Sequence, residues 1–239
     1  MNKLITINLS YYNQPKEIIL KHINYWNSFE KNIKRKFTFF IIDDNSKIPI
    51  NEVLKDVYIK YLDLHLYRVN EDLKYNIGGV RNLGAKECNT EWYVILDMDT
   101  LISNEMAKNL IELAENNINK NLAFKFNRKV LDNEKHIKHN KIHPAVCLIE
   151  KKKYWEIGGC DEDFVGNYGW TDPHFWWKAK DIIQIVLKND IYIEYIEEGE
   201  SDMERDNTFN KKLFDKKKSD NSWSDKIIRF NWQKINLIQ

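Results

Sequence analysis

The first hundred residues alternate short β-branched or aromatic runs with stretches of helical periodicity, and this alternation restricts the fold more than any other feature. Residues 4–9 (Leu-Ile-Thr-Ile-Asn-Leu) read as a strand. Pro15 then suits a first helical position, where its missing N–H is no loss. Ile18, Ile19, His22, Ile23, Tyr25, Trp26 and Phe29 follow at helical spacing, giving an amphipathic helix to about residue 30. Residues 37–42 form a second, apolar strand, residues 53–60 a short helix and residues 64–69 a third strand. Strand, helix, strand, helix, strand predicts a parallel sheet with crossover helices. Gly78 and Gly79 next allow a tight turn, before a helix that packs Val80, Leu83 and Ala85 inward.

That helix delivers the chain into Trp92-Tyr93-Val94-Ile95-Leu96, a buried-looking strand that ends in Asp97-Met98-Asp99. Side chains at i and i+2 of a strand share a side, so both carboxylates are expected at the carboxyl end, where open α/β sheets bind ligands. Two hard oxygen ligands suit Mg²⁺ or Mn²⁺ holding a diphosphate. The plainer reading is an Asp-rich turn after a strand, and the rest of the chain has to decide between the two.

Ser103 is placed to cap a helix with Met106, Leu110, Leu113 and Ala114 on its inner face. Residues 116–143 are rich in Asn, Lys and His, with strand-like pieces at 122–126 and, beyond them, 145–149. His136, His139 and His143 lack strand or helix spacing and read as exposed side chains. A turn at 158–164, a helix carrying Phe175, Trp176 and Ala179, and a late strand at 191–196 follow. Past residue 200 the sequence is strongly charged, and 210–218 is a basic, helix-prone stretch. We read one domain over 1–200 with a helical, charged extension over 201–239.

Composition excludes some function classes. With 37 Lys and Arg against 36 Asp and Glu the net charge is +1, so no global field points to nucleic acid or to an anionic membrane. The three cysteines, Cys88, Cys147 and Cys160, have neither disulfide-framework nor zinc spacing, which predicts a reduced, cytoplasmic protein. No apolar run is long enough for a transmembrane helix.

Four ordered stretches make the chain resemble the family 2 glycosyltransferases and their GT-A relatives, including the galactosyltransferase-like members. They are Ser10-Tyr11-Tyr12-Asn13; Phe40-Ile41-Ile42-Asp43-Asp44-Asn45-Ser46; Gly79-Val80-Arg81-Asn82-Leu83-Gly84-Ala85 leading into Leu96-Asp97-Met98-Asp99; and Gly158-Gly159-Cys160-Asp161-Glu162-Asp163-Phe164 followed by Gly169-Trp170-Thr171-Asp172. The resemblance implies a GT-A, mostly parallel α/β sheet binding a nucleotide sugar, usually a UDP-sugar, with Mn²⁺ or Mg²⁺, and a glycan or other hydroxyl acceptor. It puts Tyr12, Asp43 or Asp44, Arg81 and Asp97 at the nucleotide sugar, and Asp99 on the metal with Asp97 beside it. Asp202 stands in for the third ligand, a residue that relatives commonly supply as His after the late strand. Asp172 matches the carboxylate that takes the acceptor proton in inverting enzymes, although a position before Pro173 also suits a helix cap. Tyr168, Trp170, Thr171 and His174 fall at the acceptor side. Thr171 replaces the usual acidic neighbour, and this departure keeps open a non-catalytic sugar- or nucleotide-binding relative. A sugar-phosphate nucleotidyltransferase would need a glycine-rich basic loop after the first strand, and Ser10-Tyr11-Tyr12-Asn13-Gln14 has neither glycine nor Lys or Arg.

Overall fold

A computed structural model describes residues 3–59, 61–130, 141–196 and 204–237. Four strands make its parallel half: β1 (Ile5–Tyr11), β2 (Phe37–Asp43), β3 (Leu64–Val69) and β4 (Trp92–Leu96), side by side in the order β4-β1-β2-β3. Their period-two alternation sorts the core into two layers. Ile5, Ile7 and Leu9 of β1, Phe37, Phe39 and Ile41 of β2, and Trp92, Val94 and Leu96 of β4 all share one apolar cluster. On that face lie α1 (Lys16–Ser28), through Ile19, Ile23 and Trp26, and α5 (Asn104–Asn116), through Met106 and Leu110. The short helices α2 (Lys31–Lys34) and α3 (Ile50–Val53) link strands, and α4 (Ile77–Glu87) covers the opposite face.

Two expectations are corrected here. The helix placed at 53–60 lies earlier, as α3, because Pro49 presets the cap and Asp56, with φ +64°, is incompatible with a continuing helix. Gly78 and Gly79 do not turn the chain but sit inside α4. A Cβ on Gly79 would lie 2.2 Å from Asn76 Oδ1 and 2.5 Å from the Phe230 ring, and one on Gly84 would lie 2.3 Å from Asn8 Oδ1. These glycines bring the helix close to β1 and to the C-terminal segment. The predicted cap at Ser103 is present, its side chain accepting from Met106 N–H.

Beyond β4 the pairing becomes mixed. A short β5 (Thr100–Leu101), β6 (Leu122–Val130), β7 (Lys141–Glu150) and β8 (Gln184–Tyr195) continue the sheet, with β7 antiparallel to β4 and β6 parallel to β8. These strands outrun the pieces expected at 122–126, 145–149 and 191–196, because pairing supplies backbone partners to residues whose side chains carry no strand signal. Helices α6 (Lys151–Glu156) and α7 (Thr171–Ala179) flank the 158–164 turn. The C-terminal segment forms α8 (Thr208–Ser219) and then β9 (Trp232–Ile235), which pairs antiparallel with β3, so the charged extension also adds a strand to the same sheet. Cys88, Cys147 and Cys160 are buried and unpaired, and among the described residues no helix is long and apolar enough to cross a membrane.

Candidate active site

Strand order reverses between β1 and β4, and their carboxyl ends border a cleft of about 770 Å³. Tyr12, Asp44, Arg81 and Asp97 line it on one side, and Tyr168, Thr171 and Asp172 on the other.

At the end of β2 the two adjacent carboxylates divide. Asp43 is fully buried and accepts from the backbone N–H groups of Ser46 and Ile50 and from Arg68, so it closes its own turn and does not line the cleft. Asp44 faces the cleft and accepts from Asn76 Nδ2 at 2.9 Å. Burial pushes its pKa up to about 7, opposed by the Asn76 bond and assisted by the nearby charges of Asp43 and Asp72. Of the expected pair, Asp44 alone is available to a ligand.

Arg81 is the hub. Its side chain is 2% exposed, with Nη1 donating to Asp172 Oδ1 at 2.6 Å and Nη2 to Asp97 Oδ1 at 2.9 Å. Burial works against its charge, but the Asp172 and Asp97 carboxylates outweigh burial and hold it protonated. Local sequence explains the placement. The neighbouring Asn82 donates to Cys160 O and Glu162 Oε1 and accepts from Cys160 N–H, which ties α4 to the 158–164 turn and so to the segment that carries Asp172. Helix α7 is capped at Trp170, in left-handed backbone with φ +66°, so Asp172 is not its cap and points to Arg81 instead.

The chain leaves β4 at Leu96, and strand alternation no longer applies to Asp99. Thr100 closes the turn by donating from N and Oγ1 to Asp97 O. His22 of α1, fully buried, holds Met98 O at 3.0 Å; burial drives its pKa down to about 4, so the ring is neutral and Nε2–H donates. Asp99 lies beside β7, where its Oδ1 is buried without a hydrogen-bond partner, 3.7 Å from His143 Nε2. Asp97, Asp99 and His143 bring ligand atoms within 4.8 Å of one another. An orphaned carboxylate oxygen beside a second carboxylate fits a hard divalent cation. His143 is therefore buried on β7, not exposed as its sequence context indicated. Its Nδ1 accepts from the N–H groups of Ala145 and Val146, which puts the proton of the neutral ring on Nε2, facing Asp99. At 3.7 Å that nitrogen makes no hydrogen bond to Asp99, and ligating a cation through Nε2 would require the two backbone bonds to break. Asp202, His136 and His139 lie outside the described residues.

The expected acceptor residues separate. Tyr168 lines the cleft in edge contact with Tyr75, and Thr171 lines it with its methyl near Gly78. Trp170 packs away from the cleft on Phe214 of α8, ring centroids 5.0 Å apart, and Trp176 Nε1 donates to Pro144 O. His174 is corrected: it is 1% exposed, off the cleft, among Phe164, Trp177 and Phe214. Burial, with Lys178 and Lys217 assisting and Asp161 opposing, brings its pKa down to about 4. Sequence reading missed His22, Asn76 and the wall residues Tyr75, Glu204 and Phe209. Only His22 left a signal, a polar residue on an apolar helix face.

The fold is similar to that of several solved structures. S. aureus TarS 1–349 in complex with UDP-GlcNAc superposes with TM-score 0.65 at 15% identity, over 83% of this chain and 60% of that one. The mannosyltransferase PcManGT from Pyrobaculum calidifontis, in complex with GDP-Man and Mn²⁺, superposes with TM-score 0.62 at 14% identity, over 80% and 56%. Both share the GT-A fold. This chain thus spans about 60% of the length of the TarS 1–349 structure. No curated protein sequence matches it significantly. The profile described as Glycosyl transferase family 2 matches residues 11–176, which is more than half of the chain and includes Asp44, Arg81, Asp97, Asp99 and Asp172. The chain belongs to glycosyl transferase family 2.

Proposed function

We propose that the protein is a metal-dependent glycosyltransferase that moves a hexose from a UDP-sugar to a glycan or other hydroxyl acceptor, with inversion. The observation that carries this reading is the Arg81 fork, which spans from Asp97 on one wall of the cleft to Asp172 on the other. A nucleotide-diphosphate sugar lying across the carboxyl ends of β1 and β4 would meet Asp44 at its base and Asp97 near its diphosphate. Ionised Asp44 accepts an imide N–H such as that of uracil. A divalent cation held by Asp97 and Asp99 would neutralise charge on the departing diphosphate.

Asp172 has Oδ1 occupied by Arg81, and this fixes the carboxylate and leaves Oδ2 for the acceptor. The acceptor hydroxyl gives its proton to Asp172, its oxygen forms the new bond to the anomeric carbon, and the bond to the nucleoside diphosphate breaks with the electron pair leaving on phosphate oxygen. Attack from the Asp172 side, opposite the diphosphate, inverts the anomeric centre. Arg81 itself moves no proton; it orients both carboxylates.

Calorimetric titration with UDP, and with GDP as control, in the presence and absence of Mn²⁺ tests the reading. UDP binding that needs Mn²⁺ and is lost in Asp99→Ala is the expected result, followed by turnover of a UDP-sugar that Asp172→Asn lowers by about 10²-fold or more. Metal-independent UDP binding would remove the cation from the reading, and full turnover by Asp172→Asn would remove the base.

A further inference from the structure

The cleft has a third wall, built by residues beyond the 11–176 match. Glu204, Asp206 and Phe209 line it, facing Lys74, Tyr75 and Tyr168. Phe209 is 59% exposed, a large apolar ring left at the mouth. Tyr75 joins the two sides by donating its hydroxyl to Glu204 O, and its ring meets Tyr168 edge to face at 5.7 Å.

Helix α8 also shapes the loop opposite. Asn210 is fully buried, and its Nδ2 donates to Phe164 O at 3.0 Å, Asn167 O at 2.8 Å and Gly169 O at 2.9 Å. Those carbonyls converge because the loop curls through left-handed backbone at Gly166 (φ +97°) and Gly169 (φ +84°). Gly166 N–H is anchored on Lys74 O at 2.7 Å, and Trp170 stacks on Phe214 of α8. One amide thus holds the loop that carries Tyr168 and leads into Asp172.

We propose that the segment 204–214 completes an acceptor subsite, and that this subsite takes an uncharged glycan end. The proposal rests on the glycosyltransferase reading above. Tyr75, Tyr168 and Phe209 offer ring faces and edges against which the C–H face of a pyranose can pack. Asp172, Glu204 and Asp206 offer acceptors for its hydroxyls. The charge balance selects the class: two carboxylates, Glu204 and Asp206, face the single Lys74 amine on this part of the cleft among the described residues, and Arg81 is already shared between the Asp97 and Asp172 carboxylates, so the lining keeps net negative charge. A uronate or sugar phosphate brings negative charge against that wall, whereas a neutral glycoside does not. Asn210 is a positioning residue, acting through the loop.

The test uses the full chain saturated with UDP and Mn²⁺, so that failure of nucleotide binding, which would overturn the earlier reading, is seen separately. Ligand-observed NMR then measures binding of methyl glucoside, methyl galactoside and methyl N-acetylglucosaminide against methyl glucuronide and glucose 6-phosphate. At least one neutral glycoside is expected to bind about tenfold or more tightly than either anion. Phe209→Ala, an exposed site that does not threaten folding, is expected to weaken that glycoside about fivefold with UDP affinity unchanged. Asn210→Ala is expected to do the same, with Asn210→Asp more severe because a carboxylate cannot donate to three carbonyls. The paired change Glu204→Gln with Asp206→Asn is expected to narrow the discrimination against glucuronide. Anions binding as well as neutral glycosides, no neutral glycoside binding, or unchanged glycoside binding in Phe209→Ala would each overturn the proposal.

Discussion

Adjacent carboxylates at the end of β2 show how a single side chain's surroundings set its use. Sequence reading found Asp43 and Asp44 together and had no means of separating them, because what divides them is the partner set. Three donors saturate Asp43, whereas Asp44 has Asn76 and a view of the cleft. The raised pKa of Asp44 has a direction that can be checked. Its buried seat favours the neutral acid, so its contribution to stability is complete below the unfolded value of 3.8 and is lost as pH rises through about 7. Asp44→Asn is therefore expected to raise Tm at pH 8 by about 5 °C and to leave it near wild type at pH 4, as thermal unfolding will report. The same variant is expected to weaken UDP about tenfold at pH 8, since an amide oxygen is a poorer acceptor than a carboxylate. Arg81→Lys keeps the charge but loses the planar fork that reaches two carboxylates at once. Steady-state kinetics should show kcat reduced about 10²-fold, with a smaller change in the KM for the nucleotide sugar.

Among the elements, those built on strong period-two or helical patterns were legible, and those set by tertiary pairing were not. The parallel half could be read because β1 to β4 are nearly all apolar and punctuated by polar loops. β7 could not: Lys141-Ile142-His143-Pro144 looks like loop, and it is drawn into the sheet by β6, so His143 was read as exposed when it is buried beside Asp99. The mirror error occurred on α7, where His174 was assigned to the acceptor from its place in a motif, while the helix turns it into an aromatic cage beside Asp161, Lys178 and Lys217. The Asp97–Arg81–Asp172 arrangement was only half visible, because the residues come from three elements far apart in the chain. For His174 the folded pKa lies below the ordinary 6.5, so its contribution is present above that value and is lost as pH falls toward 4. His174→Phe, which fits the cage and removes a buried ring that burial keeps neutral, is expected to be more stable than wild type at pH 5 and within about 1 kcal/mol of it at pH 8, by denaturant titration.

Over the whole molecule, the C-terminal segment works as a clamp on the family domain. Lys217 pairs with Asp161 and Asp163, Arg229 with Asp163, and the backbone N–H groups of Ile228 and Arg229 donate to Glu162. Phe230 packs beside Val80 and Leu83, next to Gly79 at the start of the helix that carries Arg81. Phe230→Ala is expected to cost about 3 kcal/mol in chemical denaturation and to weaken UDP binding as well, because the cavity opens beneath α4. The β3–β9 pairing has a consequence in time. Strand β3 is made early, yet among the described residues its outer edge pairs with 232–235 alone. While the chain is being synthesised, the parallel half can assemble on the ribosome with that edge bare, open to pairing with a neighbouring nascent chain. Closure of the sheet is thus a late, long-range step, and slow or incomplete synthesis exposes the molecule to aggregation before it exposes it to loss of any part of its active site.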